Sequence, residues 1–344
     1  MDGGPAGWTD IEVGEPEELS ALVGPFDEYL RAVQCAFGVK AVVREGGVRV
    51  ETEQEGSEMA QQVLRKLLAT VHEGHPISAM DVEYAISAVK ARQPGDADAL
   101  RSEAIWATTR GRKVRPRTAG QAAYVEAMHR DDLVLAIGPA GTGKTYLAMA
   151  VAVAALREKS VSRLVLTRPI LEAGEHLGFL PGDIQEKVDP YLRPLYDALY
   201  DLIGADRFQR HVDRGTVELA PLAYMRGRTL NDAFVVLDEA QNTSIMQMKM
   251  FVTRLGFGSR MVVTGDTTQI DLPASQMSGL VHARETLRGL PGVSVCELSE
   301  VDIVRHPLVQ RIVRAYERSE GAAAAQVPRA PEGSLGERQG GEVT

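Results

Sequence analysis

Between the apolar run Leu133–Ile137 (LVLAI) and the alanine-rich stretch Tyr146–Leu156 (YLAMAVAVAAL) lies the octet GPAGTGKT, Gly138 to Thr145. A short, unbroken apolar run predicts a strand buried on both faces, and the stretch after it predicts a buried helix. The octet fits the pattern G-x4-GK[ST], whose glycines let backbone N–H groups close around an anion at a helix N-terminus. This junction commits the chain to a strand–loop–helix unit and so to a sheet with helices on it. It predicts a nucleoside-triphosphate cradle made of Gly138, Pro139, Ala140, Gly141, Thr142, Gly143, Lys144, Thr145 and Tyr146. Lys144 would reach the β- and γ-phosphates and the Thr145 hydroxyl would ligate Mg²⁺.

A second run, Phe234–Leu237, enters Asp238 and Glu239 with Gln241 two places on (VVLDEAQNT). Paired acids at a strand end make sense beside such a loop. Asp238 would hold Mg²⁺ through water, and Glu239 would act as base on the attacking water. A kinase or a simple nucleotide switch needs only the first acid, so the pair points to hydrolysis. A third run, MVVTG, leads into Asp266 and Gln269 (GDTTQIDLP). Gln269 there either senses the γ-phosphate or belongs to a polar turn before Pro273.

The runs at 133–137, 163–167, 234–238, 261–265 and 293–298 alternate with helical intervals, which predicts an α/β fold with a parallel sheet covered on both faces. That region extends from about 118 to 318. Residues 1–95 predict a small α+β module: helices at 17–22, 26–37 and 59–70, two strands joined through Gly46-Gly47, and a helix capped by Ser78 and Asp81. Residues 96–117 read as a basic linker carrying Arg101, Arg110, Arg112, Lys113, Arg115 and Arg117 in a chain of net charge −9, either a solvated connector or a segment facing phosphates. Residues 319–344 carry hardly any large apolar side chain and predict a disordered tail. Between Arg168 and Asp232, apolar residues from Tyr191 to Ile203 recur at helical spacing. Cys35 and Cys296 are expected as buried thiols in a reducing compartment. The N-terminus lacks an apolar h-region and no run approaches the roughly 18 residues of a membrane span, so a cytoplasmic protein is expected. The string HEGHP at 72–76 lacks zinc-site spacing and reads as a helix stop.

Taken together, GPAGTGKTYLA, TRPILEAGEHLGFLPGD, PYLRPLYDAL, MRGRTLNDAFVVLDEAQNTS, QMKMFVTRLG, GDTTQIDLP and DIVRHPLV closely resemble the PhoH family of ATPases, over residues 101 to 318. The N-terminal unit resembles the KH-like domain of its YbeZ-type branch. The resemblance implies a P-loop NTPase of RecA-like, superfamily 1 helicase-like build, with ATP and Mg²⁺ as ligands and hydrolysis linked to RNA. It also implies a homo-oligomeric ring, such as a hexamer, and a YbeY-like endoribonuclease partner in ribosome maturation. By position it places Gln121 and Tyr124 against adenine, although Tyr124 packed inward is an equal reading. Arg168 falls where helicases contact nucleic acid or link it to the nucleotide, and Arg305 where an arginine reads the γ-phosphate. Either arginine would serve equally in a structural ion pair.

One departure stands out. A KH fold grips RNA backbone with a GxxG loop, whereas here the stretch reads GPFDEY, with Asp27 in place of the second glycine. That argues for docking a partner or a neighbouring subunit over gripping RNA. Two functions therefore compete with different signatures. One is a Mg²⁺-ATPase coupled to RNA handling; the other is an ATP-switched adaptor that recruits a ribonuclease with little turnover. A kinase is a weaker third, since no acceptor domain is evident.

Overall fold

The computed structural model describes residues 7–72, 74, 76–90, 104–109, 111–170, 184–273, 275–304, 309, 312 and 316. Expectations for Arg101, Arg110, Arg305, the segment 171–183 and the tail 319–344 lie outside them.

The N-terminal part builds on one alternating strand. Of β1 (Trp8–Glu12), β2 (Ala41–Arg44) and β3 (Gly47–Glu51), the central β3 buries Val48 and Val50 on one face while β1 and β2 bury one residue each, Ile11 and Ala41, and the strands pair antiparallel in the order β1-β3-β2. Helices α1 (Pro16–Val23), α2 (Glu28–Phe37), α3 (Ser57–His72) and α4 (Ala79–Lys90) supply the other wall of a core that includes Ile11, Leu22, Val33, Val48, Val50, Val63, Leu67 and Val82. The expected helices and hairpin are present. Strand β1 is an addition: only Ile11 of its five residues is buried, too faint a period to read. The predicted cap at α4 forms, with the Ser78 N–H and hydroxyl donating to Asp81 Oδ2 at 2.8 and 2.6 Å. In the GPFDEY turn, Phe26 and Asp27 both adopt left-handed backbone at φ 50° and 60°, and Phe26 is 92% exposed. Cys35 corrects its expectation, being exposed on α2, while burial pushes the Cys296 thiol up to about 11.

The described part of the basic segment, 104–109 and 111–117, includes a two-stranded hairpin, β4 (Trp106–Ala107) and β5 (Lys113–Val114). The Trp106 indole N–H donates to the Leu202 carbonyl at 2.9 Å, and the Arg157 guanidinium lies 4.7 Å from its ring.

The core follows: α5 (Ala119–Arg130), β6 (Leu133–Ile137), α6 (Lys144–Arg157), β7 (Arg163–Arg168), α7 (Ile184–Ile203), α8 (Ala205–Asp213), β8 (Val217–Pro221), β9 (Ala233–Leu237), α9 (Ile245–Val252), β10 (Arg260–Gly265), α10 (Gly279–Leu287) and β11 (Val293–Glu297). Six strands pair parallel in the order β11-β6-β10-β9-β7-β8. Five match the apolar runs; β8 does not, because an edge strand needs no continuous apolar run. Alternate residues divide between two cores. Val134, Leu164, Leu166, Phe234, Val236 and Val262 face α5, α6 and α7, whereas Leu133, Leu135, Val165, Val235, Leu237 and Val263 face α9 and α10. Because all strands run the same way, β6, β7, β9 and β10 end at one edge, where ligands of open α/β sheets bind.

Candidate nucleotide site

At that edge Ala140, Gly141, Gly143, Lys144, Thr145, Tyr146, Asp238, Glu239, Gly265, Asp266 and Gln269 line a cleft of about 290 Å³. The loop after β6 is shaped by close approach. A Cβ on Gly138 would lie 2.4 Å from the Leu298 carbonyl, and Gly141 and Gly143 take φ of 89° and 78°, conformations that favour glycine. Lys144 is buried, and its ammonium donates to the carbonyls of Gly138 and Pro139 at 2.7 and 2.9 Å and to the Thr142 hydroxyl at 3.4 Å. Gly138, Pro139 and Thr142 thus seat the lysine and do not line the cleft.

The two strand-end acids differ in setting. Asp238 is 6% exposed, and its Oδ1 accepts from the hydroxyls of Thr145 and Thr264 at 2.6 and 2.7 Å. Glu239 takes a left-handed backbone, φ 54°, a cost of about 1 kcal/mol or more for a non-glycine residue. Its Oε2 accepts from the Gln241 amide at 2.6 Å and its Oε1 lies 3.2 Å from Arg168 Nη2. Gln241 is fully buried. Its Nε2 also donates to the Gln269 carbonyl at 3.2 Å, and its Oε1 accepts from the Asp266 N–H at 3.0 Å. Gln269 is exposed and donates to Asp266. Burial raises the Asp266 carboxyl, but hydrogen bonds from Thr268 and Gln269 and the Lys144 charge outweigh it and hold it below its usual range.

Of the two residues matched to adenine contacts, Gln121 departs from that expectation, and Tyr124 takes its alternative, inward packing. Gln121 is 3% exposed, with its Oε1 accepting from the Arg117 N–H at 2.8 Å and its Nε2 donating to the Thr142 carbonyl at 3.1 Å. Its amide is spent on bracing the loop. Tyr124 is completely buried, and its hydroxyl donates to the Lys144 carbonyl at 3.1 Å, so it packs inward. Helix α5 sets both: Thr118 caps it by accepting the Gln121 N–H at 3.0 Å, turning these residues toward the loop. The aromatic on the cleft is Tyr146, whose hydroxyl donates to Asp201 at 2.5 Å and accepts from Arg112 at 2.9 Å. Burial and the Asp201 bond push its pKa up to about 12.

Thr264, the bridging role of Gln241 and Glu239 as the partner of Arg168 were not legible in the sequence. A threonine ending a buried strand beside a carboxylate was the available signal for the first. Only the β7–β9 and β9–β10 registers reveal the others.

Three carboxylates (Asp238, Glu239 and Asp266) and one ammonium line the cleft. A polyphosphate entering such a site needs a divalent cation between it and the acids. The Thr145 hydroxyl and Asp238 carboxylate, already 2.6 Å apart, are the donors that would hold Mg²⁺, which when bound offsets the phosphate charge.

A parallel sheet with a lysine-bearing glycine loop after one strand and an acid at the end of another defines a P-loop NTPase site. The family model described as PhoH-like protein matches residues 113–317. A PhoH-like protein of Bacillus subtilis (strain 168) is 51% identical over 303 residues, covering 88% of this chain and 95% of that one. One of Mycobacterium tuberculosis (strain ATCC 25618 / H37Rv) is 48% identical over 326 residues, covering 94% and 92%. The chain belongs to the PhoH family. Among solved structures, the Sulfolobus solfataricus SWI2/SNF2 ATPase core in complex with dsDNA is similar over 61% of this chain and 53% of that one, at 14% identity and a TM-score of 0.33, too distant to argue from.

Proposed function

We propose that this chain is a Mg²⁺-dependent ATP hydrolase whose turnover is coupled to RNA handling. The observation that carries the reading is the meeting of Lys144, Thr145, Asp238 and Glu239, distant in sequence, around one cleft. Lys144 exchanges its carbonyl partners for phosphate oxygens, Thr145 and Asp238 form the cation seat, and Glu239 takes the proton of the attacking water. The preference for ATP rests on the family resemblance and on the lack of a guanine-reading NKxD string.

The RNA link rests on that resemblance and on Arg112 and Lys113, which stand exposed on the β4–β5 hairpin. The same reading includes a homo-oligomeric ring, a YbeY-like endoribonuclease partner, and a KH-like N-terminal domain (1–95) joined through 96–117 to an ATPase domain (118–318). No helix among the described residues is long and apolar enough to cross a membrane.

Phosphate release from ATP, with and without single-stranded RNA, tests the hydrolase. Lys144→Ala should abolish turnover, and Glu239→Gln should lower it by about 100-fold or more while nucleotide still binds. Wild-type turnover in Glu239→Gln sinks the assignment. One observation favours the adaptor reading: both oxygens of Glu239 are engaged by protein donors. Under it, Glu239→Gln would leave an already negligible turnover and partner recruitment unchanged.

A further inference from the structure

We propose that Arg168 is a phosphate-released latch on Glu239; this rests on the hydrolase reading above and adds its regulation. Glu239 is restrained by two side chains of different character. Gln241 is fully buried with its amide committed at both ends, to Glu239 and the Gln269 carbonyl through Nε2 and to the Asp266 N–H through Oε1. It cannot let go without opening the β9–β10 edge. Arg168 is different. Its side chain is 23% exposed, it meets Glu239 Oε1 at 3.2 Å, and its other terminal nitrogen donates to the Tyr191 carbonyl of α7 at 3.2 Å.

In this arrangement both oxygens of Glu239 are held by protein donors, Oε2 by Gln241 and Oε1 by Arg168. The guanidinium is the partner free to leave, and phosphate is the ligand best suited to draw it off. A planar fork binds phosphate oxygens bidentately, with charge-assisted bonds stronger than a single contact to a carboxylate oxygen. Once the guanidinium turns to phosphate, Glu239 Oε1 is released toward the cleft while Gln241 keeps Oε2 in place. The phosphate that draws it off belongs to the backbone of a nucleic acid lying along the α7 side, since the nucleotide's own terminal phosphate is present in every turnover and would regulate nothing. Arg168 positions the base and takes no part in bond making.

The test compares ATP turnover of full-length wild type, Arg168→Ala and Arg168→Lys, with and without poly(U), using Lys144→Ala as the zero. Arg168→Ala should raise kcat without RNA by about threefold or more. If backbone phosphate is the trigger, poly(U) stimulates wild type by a similar factor and Arg168→Ala by less than about twofold. If poly(U) leaves wild type unchanged while Arg168→Ala raises KM by about threefold or more at an unraised kcat, the guanidinium serves the nucleotide's own phosphate and the latch is overturned. A kcat for Arg168→Ala equal to or below wild type overturns the latch and makes the ion pair merely structural. Should Arg168→Ala fail to fold, Arg168→Lys decides alone, since a lysine cannot span Glu239 and Tyr191 together: a raised kcat supports the latch, an equal or lower one overturns it. Turnover no higher than Lys144→Ala in every sample would instead fail the hydrolase reading, and the latch with it.

Discussion

Within the cleft, each carboxylate is held by different donors, and those donors determine what it can do. Asp238 accepts two hydroxyls on one oxygen, Glu239 an amide and a guanidinium, and Asp266 the Thr268 hydroxyl and N–H and the Gln269 amide. Asp266 has a consequence for acid stability. Its folded-state pKa lies below the ordinary 3.8, so its contribution is fully present above that value and is lost as pH falls through the lower, folded one. Asp266→Asn should therefore lower the urea midpoint at about pH 7, and the gap should narrow as pH falls below 3.8. A gap that widens on acidification would reverse the sign of this argument. At Gln121 and Tyr124, polar groups whose readings the sequence left open, burial mattered more than type. From sequence an amide three residues into a helix is equally able to face a base or a carbonyl, and the Thr118 cap settled it.

Among the elements, the β4–β5 hairpin joins the basic segment to the nucleotide site. Trp106 fastens it to α7 and α6 through the Leu202 carbonyl and Arg157, and Arg112 fastens it through Tyr146 and Asp201. A two-stranded hairpin of this length is not stable alone, so these contacts hold it. Trp106→Ala should cost about 1–2 kcal/mol and expose the hairpin to trypsin at Arg112 and Lys113, with cleavage about tenfold faster. Unchanged digestion would show that Arg112 suffices. This hairpin was invisible in sequence because its strands are two residues each and their apolar content is one tryptophan, one alanine and one valine. Helix α7 was legible from its period, since Leu192, Leu195, Leu199 and Leu202 are all buried.

Across the molecule, a line of contacts runs from the N-terminal module to the phosphate loop. Asp81 of α4, 3% exposed, accepts from the Arg117 guanidinium at 3.0 Å; the Arg117 N–H donates to Gln121, and Gln121 donates to the Thr142 carbonyl. Arg117→Ala leaves Asp81 with its Ser78 bonds but no cation, a loss of about 1–3 kcal/mol. Calorimetry should then show the module melting earlier and apart from the core, and a single unshifted transition would mean that the pair does not join them.

What the sequence determined is whatever a local rule enforces. The loop glycines, the continuous apolar strands, the adjacent acids and the helix periods each follow from neighbours in the chain, so the parallel α/β fold was readable, and Lys144, Asp238 and Glu239 line one cleft at its edge. What only the tertiary structure decided depends on which strands lie side by side. Register brings Thr264 onto Asp238, Arg168 against Glu239 and Gln241 between β9 and β10. Those contacts join residues from 25 to 71 positions apart through pairings that carry no mark in sequence, because a hydrogen-bonding side chain reads the same whichever partner the sheet delivers.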